Sequence, residues 1–403
     1  MVIPSYWARE SSIGWQQGDA IYDHPTPLDK EGTLLRTLDS IRILKDKNFR
    51  LVILAVATAE DVESQVEEKI ANIIKATSPA NGVETFLFGP SHLRQIHDLL
   101  TSWGRKNDVD FLRLRGYSNV RNLCLFLPHI LGSDIAVLID DDEIFEDSEF
   151  IGKTKEFIGR NIGGEEVNAI AGYYLQPDGD YHLKKPLRPW MKCWGQLERM
   201  NEAFDKVIGT EPRLKNTPFV FGGNMIIHQN LFTVVPFDPG VHRGEDIDFL
   251  MNAKMFGYTF FLDNQLAIKH LPPPKTHPAW MELRQDIYRF IYERAKVNNQ
   301  TETKGMTKIY PEELDPYPGC FLKNDLEQKI EKSCRLLSEE YFAQGDSHSG
   351  KETLNNIVLA KTDALPKDDL FRGLCQMQKH WENMMQYIGK SDVRPKIQQI
   401  LRW

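Results

Sequence analysis

The chain has 403 residues, too many for one small core, so two or three domains or subdomains are expected. Its composition (41% hydrophobic, 26% charged, 10% aromatic) is that of a globular protein, and a formal net charge of −8 argues against a nucleic-acid coat or a general binder of anionic membranes. Five scattered cysteines, none spaced C-x-x-C, exclude a disulfide framework or zinc knuckle and fit a reducing compartment. The opening "MVIPSYWARE" has no basic n-region or long apolar stretch, and no apolar run approaches the length of a membrane span. A cytoplasmic location, or a peripheral one at a membrane surface, is therefore expected.

Strand-like and helix-like segments alternate through the first third. "MVIPSY" is a short apolar opening strand, and residues 34–48 place Leu34, Leu38 and Ile41 on one helical face. Residues 50–58 ("RLVILAVAT") read as a buried strand. A helix follows over 58–75, with Thr58 and Asp61 in a capping-box pattern and a stripe of Val62, Val66, Ile70 and Ile73. A third strand at 84–89 precedes a helix at 91–104. A fourth helix at 118–132, kinked at Pro128 and stopped at Gly132, leads into the strand "IAVLI" at 135–139. Near-continuous apolar strands alternating with helices predict a parallel sheet covered on both faces, with ligands bound beyond the carboxyl ends of its strands.

The rhythm then changes. Residues 167–183 read as strand, turn and strand, and 217–232 as a strand pair around Gly222 and Gly223. A short helix at 244–257 and further strands over 258–275 end in a proline run. Beyond that the chain reads as helical: 280–296 has Trp280, Leu283, Ile287 and Ile291 on one face, and another helix spans 323–342. Residues 343–352 ("AQGDSHSGKE") read as a loop or linker. Boundaries are placed near 155 and 275, giving segments 1–155, 156–275 and 276–403.

The stretch "IAVLIDDDE" runs a buried strand into four adjacent carboxylates. Such a cluster is repulsive unless a cation compensates it. Asp140 and Asp142 are two apart, the spacing that points side chains the same way in an extended segment, so both could share one Mg²⁺ or Mn²⁺. Asp141 then points away, toward the protein or a donor ribose. A solvated acidic loop is the plain alternative, and the buried strand and upstream βα units favour the metal. In "GYSNVRN" a glycine-led helix start offers backbone N–H groups, and Arg121 adds a forked donor, although an arginine on a helix surface is often structural. Glu245, Asp246 and Asp248 crowd one helix start, where acids also serve as caps. A carboxylate held in a cleft there can act as a general base. His270 ends a strand-like run and suits a third ligand beside Asp140 and Asp142, or a structural role.

In this order the features resemble the GT-A glycosyltransferases, most closely the family 2-like group that uses nucleotide-sugar donors. The matching pieces are "VIPSYWARE", "GYSNVRNLCLFLPHILGSDIAVLIDDDE", "FVFGGNMIIHQNLF", "PFDPGVHRGEDIDFLMNAKMFGY" and "KH", across roughly residues 2 to 272. The resemblance implies an α/β, GT-A (Rossmann-like) mixed sheet flanked by helices, with a helical C-terminal extension. It implies a nucleotide-sugar-binding half (1–155), an acceptor-binding half (156–275) and a helical C-terminal region (276–403).

By the same resemblance Asp140 and Asp142 would hold the metal on the donor diphosphate, with His270 like the metal-binding histidine of some retaining members. Pro4, Ser5, Tyr6, Arg9 and Glu10 would line the nucleotide pocket, and Arg121 and Asn122 would face the nucleotide or donor sugar. Gly222, Gly223 and Asn224 would form the wall near sugar and acceptor. Asp246, within the Glu245-Asp246 pair, would be the base in an inverting enzyme, whereas a retaining one requires no such base. The chain departs from the pattern where Ala57 replaces the usual acid after the second strand, with Glu60 or Asp61 as substitutes, and in a long segment at 11–32 that suits a lid or an acceptor loop.

The expected partners are a UDP-, GDP- or dTDP-linked sugar and a hydroxylated acceptor, with no nucleic acid and no transmembrane segment. The C-terminal helices would cover the acceptor site, form homo-oligomers or rest on a membrane. Three rivals are weighed. A haloacid-dehalogenase-like phosphatase would use Asp140 and Asp142 as nucleophile and acid, but about 139 residues precede its nucleophile. A sugar nucleotidyltransferase would need an N-terminal glycine-rich signature that is absent. A catalytically dead GT-A domain acting as a binding module is disfavoured by the complete set of acids.

Overall fold

Four parallel strands grow out of the apolar runs of the first 140 residues. They are β1 (Val2–Ala8), β2 (Leu51–Ala57), β3 (Thr85–Phe88) and β4 (Ile135–Ile139). In this computed structural model, which describes residues 1–275 and 277–401, β1 pairs with β2 from Val2 opposite Val52 to Trp7 opposite Ala57, and Val2 lies opposite Leu138 of β4. Every residue of β2 is buried. Alternation sorts the side chains to two faces. Val52, Leu54 and Val56 join one core, and Leu51, Ile53 and Ala55 the other.

The second core is closed by α1 (Leu34–Ser40), α2 (Glu63–Asn81) and α5 (Phe150–Phe157). The first and larger core takes α3 (Pro90–Ser102) and α4 (Tyr117–Ile130).

The sheet does not stay parallel. After β4 come β5 (Ala169–Leu175), β6 (Asn224–His228) and β7 (Phe260–His270). Among the described residues ten strands form one sheet, ordered Leu214–Asn216, β7, β5, β6, β4, β1, β2, β3, with Thr26–Pro27 beside β1 and Glu143–Ile144 beside β7. β6 is antiparallel to both β4 and β5, with Asn224 opposite Ile139. The strands of the first 140 residues are parallel, as expected, and with the antiparallel β6 they form the mixed sheet flanked by helices that the resemblance implied, with the segments 1–155 and 156–275 building it together.

The longer of the remaining helices are α6 (Gln196–Val207), α7 (Glu245–Met255), α8 (Ala279–Asn298), α9 (Leu326–Ala343), α10 (Ser347–Leu359) and α11 (Leu370–Ile388). The helical C-terminal region joins the larger core through Leu283, Phe290, Phe321, Leu337, Trp381 and Met384. Trp381, fully buried, donates its indole N–H to the Phe232 carbonyl at 2.9 Å. No helix among the described residues is long and apolar enough to cross a membrane.

Several local expectations are corrected. The returning arm of residues 167–183 is no strand. The chain turns at Gln176 and then packs Tyr181 edge-on against Tyr173, 6.5 Å between centroids. Residues 218–221 before Gly222 are likewise unpaired, with Phe219 and Phe221 stacked on Phe204. Thr58 caps nothing: Ala59 and Val62 stand at the N-caps of the short 3₁₀ turn Glu60–Val62 and of α2, without side-chain bonds, and Asp61 is committed to Arg9. Most of the loop expected at 343–352 is helical, because Asp346 caps α10 by accepting from Ser349 N at 3.0 Å. Trp194 is core, lying 4.9 Å from Phe321.

Candidate active site

The four carboxylates leave β4 at its carboxyl end, and each meets a different neighbour. The chain turns at Asp141 and Asp142, so the alternation expected of an extended segment does not hold. Asp140 faces Arg121 of α4: Nη1 lies 2.8 Å from Oδ1, and Nη2 donates to Oδ2 at 3.1 Å. Asp141 turns inward, where Ser5 Oγ donates to it at 2.6 Å while itself accepting from Trp7 Nε1. Thr37 donates to the Asp141 carbonyl, tying the turn to α1.

Asp142 faces the end of β7. His270 lies opposite Glu143 in the sheet, Leu271 N donates to the Asp142 carbonyl, and His270 Nε2 sits 3.4 Å from Asp142 Oδ2. Glu143 is fully buried, and its carboxylate accepts the Asp140 backbone N–H at 3.1 Å.

These placements resolve the electrostatic cost of four adjacent acids. Burial, and then the neighbouring acids, push the carboxyls of Asp141 and Glu143 well above the usual range. Burial also works against Asp142, but the hydrogen bond and charge of His270, with help from His24, outweigh it and hold the group below its ordinary value. Asp140 is compensated by Arg121.

Arg121 extends the cluster to α7. Its Nε donates to Glu245 Oε1 at 3.2 Å. Burial and then Asp246 raise the Glu245 carboxyl to about 7, against the pull of Arg121. Asp246 next to it is only partly covered. One oxygen accepts from Ile247 N at 2.9 Å, which leaves its other oxygen without an assigned bond. Burial raises its carboxyl, while Arg289 and Arg121 act against that.

The Gly222-Gly223 turn is explained by close approach. A Cβ on Gly223 would lie 2.7 Å from Asp140 Cγ and collide with Glu143, and one on Gly222 would lie 2.8 Å from Arg121 Nη2. Gly223 N donates to the Tyr174 hydroxyl at 2.8 Å, and the Tyr174 ring stacks on His270, 4.7 Å between centroids. Gly223→Ala is expected to destabilise the fold by about 1–3 kcal/mol through overpacking. Urea unfolding checks this, and a loss below a few tenths would show that the turn has room to spare.

Other expected site residues lie elsewhere. Asn122 is fully buried and spans the Phe237 backbone, donating to its carbonyl and accepting from its N–H. Asn224 donates to the carbonyls of Tyr173 and Leu266. Neither amide faces a cleft, since each satisfies backbone groups between elements. Arg9 is saturated by Asp19 and Asp61 and pins the loop after β1, while Glu10 is exposed at its rim. Asp61 is therefore not free to replace the acid missing at Ala57. Pro4 and Ser5 lie inside β1, and Asp141 is spent on Ser5. Gly116 N–H, expected to be free for a phosphate, donates to Tyr22. Tyr6 packs 4.5 Å from Tyr22, and its buried hydroxyl has no hydrogen-bond partner.

Asp142 and His270 offer a carboxylate oxygen and an imidazole nitrogen side by side, a pair that suits Mn²⁺, whereas both Asp140 oxygens face Arg121. Among the described residues no three His, Cys, Asp or Glu side chains converge as a metal seat. Of the residues expected to share one cation, Asp142 and His270 lie side by side, while Asp140 faces Arg121. Residues that sequence reasoning missed are Tyr174, Arg243 and Arg289. Arg243 pairs with Asp23 at 3.2 Å and Asp286 at 3.0 Å. The periodic spacing of Asp286, Arg289, Glu293 and Lys296, a second stripe on α8, was the available signal.

No known family's sequence profile matches the chain, and no curated protein does. Solved structures are similar at low identity. The mannosyltransferase PcManGT from Pyrobaculum calidifontis, in complex with GDP-Man and Mn²⁺, shares 12% identity at a TM-score of 0.46, over 97% of this chain and 86% of that one. GalNAc-T7 with UDP, GalNAc and Mn²⁺ shares 11% at 0.37, over 85% and 58%. S. aureus TarS shares 11% at 0.38, over 99% and 55%. Likenesses this distant carry no weight for chemistry, so the functional reading rests on the site itself.

Proposed function

We propose that the chain transfers a sugar from a nucleoside-diphosphate donor to a hydroxylated acceptor, with Mn²⁺ or Mg²⁺. The observation that carries this reading is the arrangement beyond the carboxyl end of β4. There a carboxylate–imidazole pair, Asp142 and His270, stands beside a buried arginine that bridges Asp140 to the acids of α7. Asp142 and His270 would hold the cation, whose positive charge offsets the charge developing on the leaving diphosphate.

The chain's own residues do the rest. Arg121 presents a fixed forked cation to phosphate oxygens. Tyr174 holds the His270 ring by stacking and the glycine turn by its hydroxyl. Asp246, with one oxygen uncommitted, takes the proton of the acceptor hydroxyl. The acceptor oxygen bonds to the anomeric carbon as that carbon's bond to the diphosphate oxygen breaks. This assigns inversion, and NMR of the freshly formed linkage checks it: retained configuration removes Asp246 from the role. A haloacid-dehalogenase-like phosphatase would need an unencumbered Asp140, and Arg121 lies on both of its oxygens.

A thermal-shift screen with UDP-, GDP- and dTDP-sugars, with and without Mn²⁺, tests the reading. One donor class is expected to stabilise the protein only when Mn²⁺ is present, by about 2.7 kcal/mol at a hundredfold excess over Kd. Equal stabilisation by donor alone would contradict the metal pair, and no response to any donor would contradict the transfer reading.

A further inference from the structure

Helix α8 lies outside the segment that carries the resemblance, yet its charged stripe is buried against α7. Arg289 is almost wholly buried, and its Nη2 donates to the Tyr317 hydroxyl at 2.6 Å. Its Nε lies 3.3 Å from Glu293 Oε1, and neither of the buried Glu293 oxygens accepts a hydrogen bond among the described residues. The guanidinium lies directly against Gly244, the N-cap of α7. Any side chain there would overlap it, and Gly244 also has a φ of +72°. A buried arginine is thus packed against Gly244, two residues before Asp246.

We propose that Arg289 is a positioning residue for the transfer reaction, keeping the partly covered Asp246 carboxylate ionised and aimed at the acceptor hydroxyl. The inference rests on the transfer reading above. The groups that bear on Asp246 are Arg289 and Glu293 from α8, Arg121 from α4, Asp140 after β4, and Glu245 on its own helix. Arg121 is shared between Asp140 and Glu245, whereas Arg289 has no ionised acid in hydrogen-bond contact. Burial keeps the Glu293 carboxyl protonated up to about 8, so at neutral pH the Arg289 charge is not cancelled from behind. Arginine suits the role because it stays charged when buried.

The test compares Arg289→Gln, Arg289→Lys and wild type in the full chain. It uses transfer rates from pH 6 to 9, and calorimetry with UDP or GDP and Mn²⁺. Removing a cation beside a carboxylate raises its pKa. In Arg289→Gln the acid limb of kcat is therefore expected to move up by about one unit, a tenfold loss at pH 6.5 that shrinks toward pH 9. Nucleoside-diphosphate affinity should stay within about threefold, and Arg289→Lys should recover most of the shift. A loss of the same size at every pH, or a parallel loss of nucleotide binding, overturns the inference and leaves Arg289 as packing. A wild-type protein that binds no nucleoside diphosphate overturns the transfer reading, and the inference with it.

Discussion

Replacing Asp142 by alanine is expected to cut metal-dependent sugar transfer by about a thousandfold, the rate equivalent of several kcal/mol of transition-state charge stabilisation. Among the four acids after β4, burial raises the carboxyls of Asp141 and Glu143, and Asp140 is occupied by Arg121. Asp142 is an ionised acid with an imidazole beside it. The substitution removes one of only two adjacent donors and leaves His270 stacked on Tyr174 with nothing to coordinate alongside. Turnover of donor at saturating Mn²⁺ measures the loss, and Asp142→Asn, which keeps the shape, should fall nearly as far. Transfer within tenfold of wild type would remove Asp142 from the metal role.

The second large effect concerns stability. Lys296 of α8 is fully buried and donates to Asp238 at 2.8 Å, Asp248 at 2.7 Å and Asn252 at 3.1 Å. It clasps α7 through Asp248 and Asn252. Lys296→Met should cost about 3–5 kcal/mol, because two carboxylates would be left buried without their cation. Adding Asp248→Asn should recover part of this, since one stranded charge disappears, and the two changes should not add. Urea unfolding of the single and double variants reads both quantities. A cost under 1 kcal/mol for Lys296→Met would mean that water reaches the network.

The legible parts of the molecule are those written in short-range periodicity. Apolar runs such as "LVILAVA" and "IAVLI" announce strands because both of their faces are buried, and the acids that follow stand out against them. What was not legible depends on direction in space. Nothing near Asn224 says that β6 enters the sheet antiparallel, and so nothing says why Gly222 and Gly223 must lack side chains. Arg121 was expected to face a nucleotide, and only its placement against Asp140 and Glu245 shows its ties to two acids far apart in sequence. Arg9 read as a pocket residue, but Asp19 and Asp61 satisfy it. Asn122 and Asn224 looked like polar site groups because a sequence does not distinguish an amide facing a ligand from one satisfying buried carbonyls.

Arg121 also makes the two halves of the site answer to each other. It shares one guanidinium between Asp140 and a Glu245 carboxyl raised to about 7, so Glu245 titrates where a cell lives. Phosphate oxygens that draw Arg121 away would strip Glu245 of its counter-charge and raise its affinity for a proton further. Donor loading would then be accompanied by proton uptake, and by the reciprocity of linkage a more acidic solution would favour the loaded enzyme. The protein would register donor occupancy as a change in its own charge, next to the carboxylate that must accept the acceptor's proton.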